Sequence, residues 1–357
     1  MKILVIIPTL HRGGAERVVS RLSYVWQEAH EVLLTVFDAS KIAYPYSGKL
    51  VDLNCPSVNG MWGKITNVVR RVFRLVALIR KENPNHIITF MESANFPAIL
   101  AASLTRTLTR LTVSVRNDPN QFILSHRFLM SWLYRFPKRV VAVSQGVFLA
   151  LEKMRVPRQK LFFIPNPAPN ELRKEGSKKE ENIYPPSRYI LGVGRLHPQK
   201  GFDRLMAAFA SIDDPDLYLV ILGEGQERAS LEVLATELKI SARLMMPGAV
   251  DDISVWYENA LSFVLSSRRE GWPNVLMEAM YWCCPVVSFD CHFGPSEIIE
   301  SGVSGLLVPE GDIHALCMAI VKIISDESLR EAFVRESQRK LEQFDVNSIA
   351  KKWIDLI

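Results

Sequence analysis

The chain has 357 residues, room for two domains of about 150 residues each, with 48% hydrophobic and 23% charged content as in soluble globular proteins; no apolar run approaches the ~20 residues of a membrane span. A net charge of +5 conceals two unlike halves: residues 1–170 carry 23 Lys and Arg against 9 Asp and Glu, net +14, and residues 171–357 carry 20 against 29, net −9. The basic half is therefore expected to meet something anionic, and the five cysteines, an odd number without Cys-x-x-Cys or Cys/His spacing, read as buried reduced thiols rather than a disulfide framework or a zinc site.

The opening apolar run is too short for a signal peptide and is followed by His11-Arg12-Gly13-Gly14, so Ile3–Ile7 reads as a buried first strand and the cytoplasm is the expected location. Ala15–Ala29 is a predicted helix with Val18, Val19, Leu22 and Val25 on one face, and Val32–Phe37 a strand. Over Met61–Lys81, Ile65, Val68, Val69, Val72, Phe73, Val76 and Ile79 recur at helical spacing, opposite Lys64, Arg70, Arg71, Arg74, Arg80 and Lys81. Such a basic amphipathic helix suits an anionic membrane interface, and an ordinary core helix with a basic solvated face is the alternative. Strands at His86–Phe90, Leu111–Val115 and Arg139–Val143 follow, with a helix at Pro97–Thr105. Gln121–Arg139 mixes Phe122, Phe128, Trp132, Tyr134 and Phe136 with Arg127, Arg135, Lys138 and Arg139, a composition for lipid headgroups or nucleic acid.

Ala168–Ser187 is rich in Pro, Gly and charge and reads as a linker. The alternation then restarts: strands at Tyr189–Val193, Leu217–Leu222, Arg243–Met246, Leu261–Leu265 and Pro285–Phe289, helices at Phe202–Ser211 and Glu227–Leu238, and a helical tail from Ile313. The expected organisation is a Rossmann-like domain over 1–170, a linker over 171–187, a second Rossmann-like domain over 188–340, and a C-terminal helix over 341–357 able to cross back to the first domain. Two parallel α/β sheets of this type are expected to face each other across a ligand cleft.

Three motifs carry chemistry. Arg12-Gly13-Gly14-Ala15-Glu16-Arg17 follows the first strand, where glycines and a helix N-terminus suit a phosphate; the dinucleotide spacing G-x-G-x-x-G is absent, and a simple tight turn is the plain alternative. Gly192-Val193-Gly194-Arg195-Leu196-His197-Pro198-Gln199-Lys200-Gly201 places two cations on one loop after a strand, able to converge on a diphosphate or to sit solvated on the surface. Arg268-Arg269-Glu270-Gly271-Trp272-Pro273-Asn274-Val275-Leu276-Met277-Glu278 places one acid on a loop and a second at the start of a helix over Glu278–Trp282, positioned to accept hydrogen bonds from sugar or ribose hydroxyls. Acids also favour helix N-termini for electrostatic reasons alone. Asp214-Pro215-Asp216 has the form of a metal-binding Asp-x-Asp but sits in a turn before a strand and is read as turn chemistry, with no metal site.

Arg195 and Lys200 upstream of a Glu-x7-Glu element resemble the retaining glycosyltransferase family four, of GT-B fold. Gly13-Gly14-Ala15-Glu16-Arg17, Val143-Ser144, Pro165-Asn166-Pro167 and Gly294-Pro295-Ser296-Glu297-Ile298-Ile299 with Gly302 and Gly305 are similar to its recurring segments, so the resemblance spans nearly the whole chain. It implies that Arg195 and Lys200 hold the donor diphosphate, Glu278 the nucleotide ribose and Glu270 the transferred sugar. Backbone N–H groups of Asn274, Val275 and Leu276 would help, and Gly13 and Gly14 would approach the diphosphate. Arg195, Lys200 and Glu270 form the implied catalytic set, with no metal and no cofactor beyond the UDP-sugar co-substrate. Where relatives carry an acceptor-side histidine, this chain reads Ser114-Val115-Arg116-Asn117-Asp118-Pro119, so Arg116 or Asn117 takes that place, with Glu16 also on the acceptor side.

A carboxylate pair ordinarily points to double displacement or general acid–base work. The loop cations point instead to departure of the diphosphate with attack on the same face. The basic, aromatic first half is similar to members that extend polyprenyl-diphosphate-linked saccharides on the inner face of the bacterial inner membrane, as in O-antigen, capsule or N-glycan precursor assembly. The implied donor is a UDP-hexose or UDP-N-acetylhexosamine, UDP-GalNAc among them, and nucleic acid is not an expected partner. Competing readings are a UDP-sugar 2-epimerase of the same fold and a non-catalytic membrane-associated nucleotide-sugar binding protein; the Glu-x7-Glu element together with Arg195 and Lys200 argues against both.

Overall fold

A computed structural model describes residues 1–58, 60–170, 185–250 and 252–357, with Met61 described by its backbone alone. Most of the expected linker, residues 171–184, lies outside the described residues. The chain divides into two compact units, Met1–Pro167 with Val346–Ile357, and Ala168–Asp345.

The first unit is built on β1 (Lys2–Leu10), β2 (Glu31–Ile42), β3 (Lys49–Asp52), β4 (His86–Phe90), β5 (Leu111–Val115), β6 (Arg139–Ala142) and β7 (Leu161–Phe163), all parallel in the order β3-β2-β1-β4-β5-β6-β7. The central strands are near-continuous apolar runs because both sheet faces are covered by helices: Ile3–Ile7 are buried throughout. Those helices are α1 (Gly14–Gln27), α2 (Met61–Glu82), α3 (Glu92–Leu104), α4 (Leu124–Leu133) and α5 (Gln145–Lys153).

The second unit holds β8 (Tyr189–Val193), β9 (Tyr218–Leu222), β10 (Leu244–Gly248), β11 (Ser262–Leu265), β12 (Val286–Asp290) and β13 (Leu306–Pro309), again all parallel, in the order β10-β9-β8-β11-β12-β13. Its helices are α6 (Phe202–Ala210), α7 (Arg228–Glu237), α8 (Ser254–Glu258), α9 (Asn274–Tyr281), α10 (Pro295–Ile298), α11 (Ile313–Ser325) and α12 (Glu327–Glu342). The last helix, α13 (Val346–Leu356), belongs to the first unit, where buried Trp353 packs on Trp26 (ring centroids 6.3 Å) and Phe90 (5.4 Å) and Trp26 Nε1 donates to Ala350 O at 3.3 Å.

Each sheet reverses its strand order once, between β1 and β4 and between β8 and β11. Loops leaving the carboxyl ends of those strands are where open α/β sheets bind ligands. They include His11–Gly13, Met91, Gly194–Gly201 and Ser266–Pro273, so three of the four carry the motifs singled out from sequence.

Helix α2 divides into a packed half and a bare half. Its C-terminal half is core, with Leu75 and Ile79 buried, whereas Trp62 (76% exposed), Ile65, Val69 and Phe73 (66%) leave the N-terminal stripe bare. Two of its expected membrane-facing cations are otherwise engaged. Arg71 is buried, bonded to Cys55 O through Nε (3.2 Å) and Nη2 (2.9 Å) and stacked over Phe37, and Arg74 binds Leu53 O and Asn54 O. Lys64, Arg70, Arg80 and Lys81 remain exposed. Helix α4 adds a second bare apolar stripe, Leu124, Phe128 and Trp132, spaced four residues apart. Among the described residues no helix is long and apolar enough to cross a membrane.

Four details differ from the sequence reading. Helix α3 starts at Glu92, five residues before Pro97, because the N–H groups of Ala94 and Asn95 close a turn on Met91 O (3.0 and 2.9 Å). Helix α9 starts at Asn274, so Glu278 stands one turn inside the helix rather than opening it. Strands β3, β7 and β13, of three or four residues, carry too short a pattern to be read. Cys283 is exposed, and the other four cysteines are buried as expected.

Candidate active site

The second unit builds its site from the loops after β8 and β11. After β8, Gly194 N–H bonds to Leu222 O (2.9 Å) and Leu196 N–H to Glu224 O (3.0 Å), pinning the backbone on both sides of Arg195. A short helical turn, Pro198–Lys200, follows, capped by His197 Nδ1, which accepts from Gln199 N–H at 3.2 Å. Gly201 ends that turn in the left-handed region (φ +64°), where a Cβ would lie 2.1 Å from Ser266 O. Only glycine lets the two loops approach this closely.

The second loop is tied to the first along its length. Ser266 Oγ donates to Lys200 O (2.9 Å), Arg268 N–H to Gln199 O (2.8 Å), and Gln199 Nε2 to Arg269 O (3.0 Å). Arg268 grips Asp203, at the start of α6, through two bonds of 2.7 and 2.6 Å, and the guanidinium holds the Asp203 carboxyl below the usual carboxylate range. Trp272 anchors the following turn, edge-on to Phe344 (5.3 Å) with Nε1 toward Met277 Sδ (3.3 Å). The segment entering α10 closes over that turn: a Cβ on Gly294 (φ +97°) would meet Pro273 Cδ at 2.6 Å.

The result is one close pair. Lys200 Nζ stands 2.7 Å from Glu270 Oε1, which also accepts from Ser267 Oγ at 2.7 Å, and the two side chains are 16% and 8% exposed. Glu278 is buried in α9. Arg195 is exposed and makes no side-chain hydrogen bond or ion pair among the described residues, a cation available to an anionic ligand. At the start of α9, no side chain caps the helix, Asn274 is buried, and Leu276 N–H already bonds to Pro273 O (3.0 Å). Asp214 belongs to a turn, accepting from Asp216 N–H (3.1 Å) and pairing with Arg188 (3.0 Å), and no metal-binding cluster occurs among the described residues. An open groove of about 580 Å³ lined by Glu258, Cys283, Arg330 and Glu331 shares no residue with the site.

In the first unit, Gly13 caps α1 in an extended conformation, and Glu16, buried, turns its carboxylate back on it: a Cβ at Gly13 would lie 2.3 Å from Glu16 Oε2. The protein thus places its own anion at this helix N-terminus. Arg116 is buried at the end of β5, bonded to Ser114 Oγ (3.3 Å) and Asn166 Oδ1 and lying over Phe90 (5.3 Å). Burial pushes its pKa down to about 9, against the pull of Glu92, which leaves it cationic at neutral pH. Asn117 Nδ2 donates to Glu92 Oε2 at 3.3 Å.

Residues 12–171 match the family profile described as Glycosyltransferase Family 4, and residues 173–340 that described as Glycosyl transferases group 1. The chain belongs to glycosyltransferase family four. This family four chain is 27% identical to a Campylobacter jejuni protein, GalNAc-alpha-(1->4)-GalNAc-alpha-(1->3)-diNAcBac-PP-undecaprenol alpha-1,4-N-acetyl-D-galactosaminyltransferase, over 100% of this chain and 98% of the relative. It is 26% identical to the amylovoran biosynthesis glycosyltransferase AmsD of Erwinia amylovora, over 100% and 99%. The crystal structure of Anabaena HepE in complex with UDP-glucose superposes with a TM-score of 0.81 at 20% identity, covering 100% of this chain and 99% of that one. The family four chain has the GT-B fold, with parallel sheets of seven and six strands.

Ser266, Ser267 and Asp203 escaped sequence reading, because nothing in their spacing shows that β8 and β11 are neighbours. Glu92 also escaped it, although an acid immediately beyond the carboxyl end of a buried strand was a visible signal.

Proposed function

We propose that this glycosyltransferase moves a hexose or N-acetylhexosamine from a UDP-sugar to a polyprenyl-diphosphate-linked saccharide, with retention of configuration and without a metal, in surface polysaccharide or glycan assembly. The observation that carries this reading is the Lys200–Glu270 pair (2.7 Å) on the two loops at the strand reversal, with Arg195 on the same β8 loop. The reading is supported by relatives whose described acceptor is a PP-undecaprenol-linked glycan and by structural neighbours in complex with UDP-glucose.

In this mechanism Arg195 and Lys200 neutralise the departing UDP, Glu270 orients the sugar and Glu278 the ribose, with N–H groups of Asn274, Val275 and Leu276 beside them. The acceptor hydroxyl attacks from the face the phosphate leaves, and the phosphate oxygen takes its proton, so bonds and charge balance without a protein nucleophile. Gly13 and Gly14 approach the diphosphate, and Glu16, Arg116 and Asn117 belong to the acceptor side. The bare stripes of α2 and α4, flanked by Lys64, Arg70 and Arg135, hold the enzyme peripherally on the anionic inner leaflet.

A panel of UDP-sugars incubated with bacterial lipid extract, read by mass spectrometry of the lipid-linked saccharides, tests this. One sugar added to a polyprenyl diphosphate saccharide is the expected product. Epimerised UDP-sugar without acceptor, or UDP-sugar binding with no turnover on any lipid, defeats the proposal.

A further inference from the structure

Glu92 stands at the carboxyl end of β4, at the strand reversal of the first sheet. It is 6% exposed, and its Oε1 is buried with no hydrogen-bond partner among the described residues, while Oε2 accepts a 3.3 Å bond from Asn117 Nδ2. A buried carboxylate oxygen without a partner is costly, and folded chains rarely keep one without a use for it. Its neighbours are satisfied. Asn95 accepts from Thr89 Oγ1 (2.5 Å) and donates to Ser114 O (2.9 Å) and Tyr134 Oη (3.1 Å), and the Arg116 guanidinium is taken by Ser114 and Asn166. Arg116 makes no ion pair with Glu92 among the described residues.

The backbone supports the same interpretation. Met91, which caps α3 and aims Glu92, sits at φ +76°, a conformation that L side chains adopt at a cost, and strain of this kind collects at functional sites. The ligand chemistry follows from the group. A carboxylate flanked by an amide asks for a neutral hydroxyl donor, not an anion. Arg116 lends positive potential without occupying the oxygen. A saccharide hydroxyl meets that demand, and Glu92 lies in the first unit whereas Arg195, Lys200 and Glu270 lie in the second.

We propose that Glu92 is an acceptor-binding residue, its unpartnered oxygen accepting a hydrogen bond from a hydroxyl of the saccharide to be extended, with Asn117 holding the carboxylate and Arg116 lending it positive potential. The inference rests on the transferase reading above. Burial raises the Glu92 pKa, and its own backbone N–H, Asn117 and Arg116 oppose that rise.

The test titrates a short-chain prenyl-diphosphate-linked N-acetylhexosamine disaccharide and, separately, UDP against the full chain and its Glu92→Gln, Glu92→Asp and Glu92→Ala variants, with melting temperature as a fold check. Glu92→Gln, isosteric and able to keep the Asn117 bond, is expected to weaken saccharide binding about 10–100-fold, with UDP affinity within about twofold of the parent and Glu92→Asp partly restoring the loss. Saccharide affinity within about twofold of the parent in Glu92→Gln, equal weakening of UDP and saccharide, or failure of the parent to bind the disaccharide overturns the proposal. Glu92-dependent saccharide binding without sugar transfer upholds it and defeats the transferase reading instead.

Discussion

Replacing Gly201 by alanine isolates the close approach of the loops after β8 and β11. The new Cβ would lie 2.1 Å from Ser266 O, so the Lys200 turn and the end of β11 must separate by roughly 1 Å. Residue 201 also sits at φ +64°, which costs alanine about 1 kcal/mol, and the overpacking adds about 1–3 kcal/mol. The larger effect is geometric. Ser266 carries the bond to Lys200 O and Ser267 the bond to Glu270, so the movement pulls apart the cation and acid now 2.7 Å apart. Misplacement of this size costs about 10²-fold in turnover. Gly311→Ala is the control: its φ is +83°, but the nearest atom to its Cβ is 3.8 Å away, so it should lose about 1 kcal/mol and keep its rate. Turnover at saturating UDP-sugar, with denaturant melts, measures both. If Gly201→Ala matched Gly311→Ala in rate and stability, the loops would not be held by this contact.

Three further outcomes are expected. Phe73→Glu with Phe128→Glu, at residues 66% and 76% exposed, should weaken co-sedimentation with anionic vesicles about tenfold or more and leave the melting temperature unchanged, whereas Arg71→Ala should lower stability; vesicle binding indifferent to the double change would remove the membrane role of α2 and α4. Asp203 has a folded pKa below its unfolded one, so its stabilisation is present above the ordinary carboxylate range and is lost as pH falls through the folded pKa. With the pair about a third exposed, the gap between parent and Asp203→Asn should be at most about 1 kcal/mol at pH 7 and should close on acidification; a gap constant with pH contradicts the pairing. Trp353→Ala should cost about 3–5 kcal/mol in denaturant unfolding, since the ring is buried between Trp26 and Phe90; a loss under about 1 kcal/mol would mean that α13 is only loosely attached.

The alternation of apolar strands with amphipathic helices made both sheets legible, because parallel strands covered on two faces write themselves as unbroken apolar runs. Lys200 and Glu270 were legible as chemistry-bearing types on loops after strands, but their meeting depends on β8 lying beside β11. Glu278 is expected at a helix start, but Pro273 marks the boundary and Asn274 begins the helix, so Glu278 stands one turn in. Pro97 misled in the opposite sense, since proline favours first turns yet here lies inside α3, which hid Glu92 at the true start. The basic face of α2 was legible as charge, but not the diversion of Arg71 and Arg74 to the backbone of Leu53, Asn54 and Cys55, which depends on tertiary packing.

The most direct measurement is the turnover number of Lys200→Ala at saturating UDP-sugar and acceptor. The proposed mechanism predicts a fall of about 10²–10³-fold, because the ammonium that neutralises the leaving diphosphate is gone. Full turnover in that variant, with donor held at saturation, would contradict it.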